Sequence, residues 1–151
     1  MKRRDFVMAG AALGLTASVY AKPTPTAIEV WKSPECGCCK GWIAHLEKNG
    51  FVAIVHNEGN TDARKALGLP LQFGSCHTAK VGGYAIEGHV PAREIRRLLQ
   101  ERPKAVGLAV PAMPLGSPGM DGPDFDHQTQ PYDVLLVLQD GSTRVYQSYF
   151  R

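Results

Sequence analysis

Cys36, Cys38 and Cys39 fall within four residues of one another, in the stretch "SPECGCCKGW". A redox dithiol uses two thiols, and so does a disulfide. Cys36 and Cys39 have the C-x-x-C spacing of a dithiol. At the start of a helix, such a thiol titrates below its ordinary value of about 8.5. Cys38 is then surplus, and a second nucleophile beside Cys39 would scramble a clean dithiol cycle. Three thiolates on one tight loop also repel one another unless a cation sits among them. Soft thiolates favour Cu(I), zinc and iron–sulfur clusters. Three chemistries therefore stay open for the triplet: metal binding, dithiol redox, and structural disulfides.

The fourth cysteine, Cys76, stands alone. A tight triplet plus one distant thiol is a poor match to the two separated pairs of structural zinc. Cluster-ferredoxin spacings are absent too. Beyond the N-terminal 21 residues the chain has two methionines, Met113 and Met120, both in the loop stretch "MPLGSPGM". Methionine is most often core filler, but neither of these sits in an amphipathic segment. Thioether together with thiolate is a soft set that selects Cu(I).

Among the histidines, His77 adjoins Cys76 and is the first candidate ligand, with His127 in the methionine loop next. His89, in "EGHVP", is as good a hydrogen-bonding residue as a ligand. His45 is expected to face solvent from a helix, and His56 to end a buried strand as a structural residue.

These groups must be held by elements that the pattern also predicts. "AIEVW" reads as a strand, "CKGWIAHLEKNG" as a helix ending at Asn49-Gly50, and "FVAIVH" as a second strand apolar enough to be buried. "TDARKALG" reads as a short helix. Gly82-Gly83 is expected to turn a hairpin. In "VPAREIRRLLQERP", Pro91 fits the first position of a helix and Pro103 closes it; Arg93, Arg96 and Arg97 read as its solvated face. The class is α/β, a single thioredoxin-like domain with the cysteine loop between the first strand and first helix. In such a fold the loop before the hairpin faces the dithiol, which would bring Cys76 to the triplet. Thioredoxin relatives place a cis-proline there, and "FGSCHTAKV" has none. Residues 110–131 form a Pro/Gly/Met-rich loop without period, and loops of roughly 20 residues are usually functional or disordered. "YDVLLVLQDGSTRVYQSYF" reads as a C-terminal β-hairpin extension turning at Asp140-Gly141.

The N-terminus reads differently. Lys2, Arg3 and Arg4 precede a short apolar run from Phe6 to Val19, and Val19-Tyr20-Ala21 is a small-residue cleavage site. Residues 1–21 are expected to be a signal peptide, and the paired arginines resemble a twin-arginine (Tat) signal. Residues 22–151 are then the working domain, and the expected location is periplasmic. Without the signal, 17 basic and 14 acidic residues fall to 14 and 13, because Lys2, Arg3, Arg4 and Asp5 leave with it. No basic patch remains to argue for nucleic acid, and nothing argues for membrane insertion after signal removal.

With "KSPECGCCKGW", "SCHTAKVGGYAIEGHVP" and "GLAVPAMPLGSPGM" in that order, the chain resembles the CopG-type family of small periplasmic copper-resistance proteins. The resemblance covers essentially the whole chain beyond the signal. It implies a thioredoxin-like fold with a cysteine-bridged cluster of several copper ions, Cu(I) favoured, and a role in Cu(I)/Cu(II) interconversion during copper resistance. Carried onto this sequence, the sulfur ligands are Cys36, Cys38, Cys39 and Cys76. Met113 and Met120 match the methionine-loop motif, and His77 and His127 complete the set. A copper oxidoreductase is one expectation, with a periplasmic electron-transfer or copper-handling protein as partner. The alternatives are a copper buffer or chaperone without turnover, a thiol–disulfide oxidoreductase using Cys36 and Cys39, and a domain with two structural disulfides.

Overall fold

The computed structural model describes residues 24–151; the expected signal peptide and its cleavage site lie outside the described residues. The order is β1 (Thr26–Lys32), α1 (Gly37–Lys48), β2 (Phe51–His56), α2 (Thr61–Ala66), β3 (His77–Val81), β4 (Tyr84–Glu87), α3 (Ala92–Glu101), β5 (Gly107–Ala109), β6 (Tyr132–Val137) and β7 (Thr143–Tyr149). The strands form one seven-stranded mixed sheet in the order β2-β1-β3-β4-β5-β6-β7. The α/β class expected from the pattern is what the chain adopts.

Strand alternation divides the buried residues between the two faces of the sheet. Ile28, Val30, Ala79, Val81, Ile86, Leu108, Val134 and Leu136 join Trp42 and Leu46 of α1 and Ile95 and Leu98 of α3 in the main core. Their neighbours Ala85, Ala109 and Val137 point the other way, to a smaller cluster with Leu69. Trp42 is fully buried and its indole N–H donates to Val90 O at 2.8 Å.

Three local expectations are corrected, and one strand appears that no pattern announced. β2 is an edge strand, so Val52 and Ile54 stand about half exposed, at 51% and 48%, where an apolar run had implied burial. Pro91 precedes α3 as its N-cap in extended conformation, and the helix opens at Ala92. His45 is half-buried: its Nε2 accepts the Ala92 N–H at 3.1 Å and so caps α3. β5 lies in a stretch with no visible strand pattern. It pairs parallel with β4 and antiparallel with β6, which ties the C-terminal hairpin into the sheet.

β1 and β3 run antiparallel with Lys32 opposite His77. The chain therefore leaves β1 toward the cysteine triplet at the same sheet end where Cys76 leads into β3. This pairing positions the site.

Candidate metal centre

Cys36 is the N-cap of α1, and Cys38 and Cys39 lie in its first turn. Cys36 and Cys39 are joined in a disulfide, while Cys38 and Cys76 are free thiols. Cys38 Sγ lies 3.6 Å from Cys36 Sγ and 3.6 Å from Cys76 Sγ. All four sulfurs lie within 4.8 Å of one another. Cys39 is fully buried, whereas Cys36, Cys38 and Cys76 are half-buried.

Two buried imidazoles approach Cys76 from the protein side. His77 Nε2 lies 2.9 Å from Gly88 O, and His89 Nδ1 lies 2.8 Å from Pro118 O. A carbonyl only accepts, so those nitrogens carry the hydrogens. The opposite nitrogens are then lone pairs. His89 Nε2 faces Cys76 Sγ at 3.2 Å, and His77 Nδ1 faces it at 3.4 Å. The arrangement holds both rings in the tautomer a metal ligand needs. Burial pushes the His77 imidazole down to about 3, with His89 adding to the effect, and burial lowers His89 as well. Both rings are therefore neutral near pH 7. Burial and the neighbouring Cys38 push the Cys76 thiol up to about 12, so it is protonated until a cation displaces the proton.

The loop carrying Cys76 is held at Ser75. Its N–H donates to Glu87 Oε1 at 2.7 Å, and its carbonyl accepts from Arg64 Nη2 at 2.7 Å and Asn60 Nδ2 at 3.2 Å. Glu87 is fully buried, pairs with Arg64 at 2.7 Å and accepts the Thr78 hydroxyl at 2.6 Å. The Ser75 hydroxyl donates to Ala112 O at 2.6 Å. Ala112 is the residue before Met113, so one hydrogen bond links the Cys76 loop to the methionine loop.

Met113 is exposed and places its Sδ 3.9 Å from Cys38 Sγ. Further along, Gly119 has φ +87°, and a Cβ there would meet Cys38 O and Trp42 N at 2.6 Å. Glycine is what lets the loop backbone lie directly on the first turns of α1. The loop is internally tied: Gly116 N–H donates to Met120 O and Met120 N–H to Ser117 O, both at 2.8 Å.

The family model described as "Protein of unknown function, DUF411" matches residues 73–120, which contain Cys76, His77, His89, Met113 and Met120. Two solved structures named copper resistance protein CopG, forms 1 and 2, each align at 45% identity over 83% of this chain and 98% of theirs, with a TM-score of 0.75. The chain belongs to the CopG family. No curated protein matches it.

In this CopG-family chain, the sulfurs of Cys36, Cys38, Cys39 and Cys76 converge, with Met113 beside Cys38 and His77 beside Cys76. Met120, further along the loop, is buried. His127 is exposed, and its Nδ1 lies 3.2 Å from Asp121 O, apart from the Cys/His groups able to share an ion. His89 was left undecided by sequence, yet it comes nearest to a thiol of all the rings. Nothing in "EGHVP" alone tells a hydrogen-bonding histidine from a ligand. The cluster of soft donors is compatible with metal binding, and copper suits its chemistry.

Proposed function

We propose that this protein is an exported copper-binding protein of copper resistance, working in the periplasm on a thioredoxin-like chassis. Cys36, Cys38, Cys39 and Cys76 would hold several Cu(I) ions as bridging thiolates once the Cys36–Cys39 disulfide is open. Met113 would supply a thioether, and His77 and His89 imidazole nitrogens. Met120 and His127 stay in the proposal as loop ligands that could close over a loaded site. The observation that carries the reading is the convergence of four cysteine sulfurs within 4.8 Å, one of them drawn from 37 residues beyond the triplet.

Bridging thiolates share negative charge between neighbouring cations, which offsets the repulsion that three crowded thiolates would otherwise suffer. Thiolate, thioether and imidazole together tolerate both copper oxidation states better than thiolate alone. That supports Cu(I)/Cu(II) interconversion with a periplasmic electron-transfer or copper-handling partner.

The buffer reading uses the same residues and is separated by kinetics. With excess Cu(I) and an oxidant in stopped-flow, an interconverting protein produces Cu(II) over many cycles. A buffer stops when its sites are consumed. Conversion that ends at the site count would reduce the proposal to copper storage or delivery.

A further inference from the structure

The disulfide joins Cys36 to Cys39 and leaves Cys38, which lies between them in sequence, as a free thiol 3.6 Å from Cys36 Sγ. Cys38 instead faces Cys76 Sγ at 3.6 Å and Met113 Sδ at 3.9 Å. His89 Nε2 and His77 Nδ1 complete a soft pocket around Cys76, at 3.2 Å and 3.4 Å. The four cysteines thus divide into an oxidised pair and a pair of thiols with thioether and imidazole neighbours. The two pairs are in contact.

We infer that Cys36 and Cys39 are an electron source for copper. As a dithiol they reduce two Cu(II) ions to Cu(I), and Cys38 and Cys76 receive the product. This rests on the copper-holding reading and adds to it the source of the electrons.

Two S–H bonds break and one S–S bond forms between Cys36 and Cys39. Their two electrons go one each to two Cu(II) ions, because the dithiol–disulfide couple carries two electrons. Two protons leave to water. Soft thiolate and thioether donors favour Cu(I), so the Cys38–Cys76 pocket draws the reaction forward. An ion held at Cys38 stands beside the Cys36 sulfur, so the electron has no long path to travel.

The cycle closes with an external dithiol. It attacks one sulfur of the disulfide, passes through a mixed disulfide and leaves as its own disulfide, restoring two thiols. The exposure of the two sulfurs assigns the order. Cys36 is half-buried and open to attack, while Cys39 is fully buried beside Cys76 O at 3.7 Å and is the leaving thiol. This gives the third cysteine of the triplet its work: it keeps copper while its neighbours are oxidised.

The test uses fully reduced, metal-free protein without oxygen. A small excess of Cu(II) is added, and its loss is followed by electron paramagnetic resonance. Copper is then removed by a chelator, free thiols are alkylated, and the remaining disulfide is mapped by mass spectrometry. The expected result is loss of two Cu(II) per chain, with Cys36 linked to Cys39 and Cys38 and Cys76 alkylated. Cys36→Ser and Cys39→Ser lose this two-electron reaction.

A disulfide that contains Cys38 or Cys76, or undiminished two-electron reduction in Cys36→Ser, would overturn the inference. So would retention of added Cu(I) with no reduction of Cu(II), an outcome that leaves the copper-holding reading intact. Reduction of two Cu(II) with the expected pairing, but with Cu(I) lost on desalting, supports the donor pair and counts against the holding reading. The pairing map is made on the unaltered chain, so it decides the matter even where a variant folds poorly.

Discussion

Cys38 Sγ lies within 4 Å of the sulfurs of Cys36, Cys76 and Met113. A dithiol oxidoreductase built on Cys36 and Cys39 has no use for it, whereas a shared copper site depends on it. Cys38→Ser is therefore expected to weaken Cu(I) binding by about 100-fold or more, given that even outer partners of a metal site are worth about 10–100-fold. Competition with a colorimetric Cu(I) chelator reads this directly, and near-native affinity would favour the oxidoreductase. His89 and His127 make a second contrast. His89 Nε2 points at Cys76 Sγ from a ring fixed by Pro118 O, while His127 is exposed beside Asp121 O. His89→Ala is expected to cost about 10–100-fold in Cu(I) affinity, on the same scale, and His127→Ala far less. Equal losses in the two variants would show that the methionine loop closes over the loaded site. The convergence of Cys36, Cys38, Cys39 and Cys76 was legible from the spacing of the triplet and the expected topology. His89 was not, because a histidine before a helix has no pattern that tells a hydrogen bond from a ligand.

At the scale of elements, the site depends on how closely the methionine loop lies on α1. Gly119 has no room for a Cβ, which would meet Cys38 O and Trp42 N at 2.6 Å, and its φ of +87° is unfavourable for other residues. Gly119→Ala is expected to destabilise the protein by about 1–3 kcal/mol through overpacking and to move Met113 from Cys38. Urea unfolding measures the first effect, and Cu(I) affinity the second. Unchanged values in both would mean that the loop is not seated on α1. The order from β1 to α3 could be read from periodicity, with Gly82-Gly83 turning the hairpin as expected. β5 could not. It has three residues, Gly107, Leu108 and Ala109, too few for alternation to show, and its pairing with β4 and β6 is a tertiary matter. The half-exposed apolar side chains of β2 misled for a related reason: an apolar run does not say whether a strand is central or at an edge.

Across the whole molecule, three histidines favour the neutral ring. His77, His89 and His45 all sit below their ordinary value of 6.5, with burial the leading cause for each. His77 is pushed down to about 3, by burial first, then by His89 and Lys32, against the pull of Gly88 O. In the unfolded chain these rings take up protons near pH 6.5, while the native state does not. Stability therefore rises with pH wherever the unfolded state binds more protons. The metal-free protein is expected to lose stability steadily as pH falls from about 6.5 toward 3, read as a falling urea midpoint. His45→Gln should flatten that decline, because its ring caps α3 only when neutral. A midpoint that holds constant between pH 7 and 4 would contradict the buried neutral state.

The proposed copper site draws four cysteines from two separate stretches of the chain. Its most direct test is copper per chain beside a free-thiol count. The protein is reduced, loaded with Cu(I) without oxygen, desalted and assayed for both. Several coppers per chain are expected, with all four thiols protected from alkylation until the metal is removed. No retained copper, with Cys36 and Cys39 cycling cleanly against a dithiol while Cys38 and Cys76 alkylate freely, would contradict it.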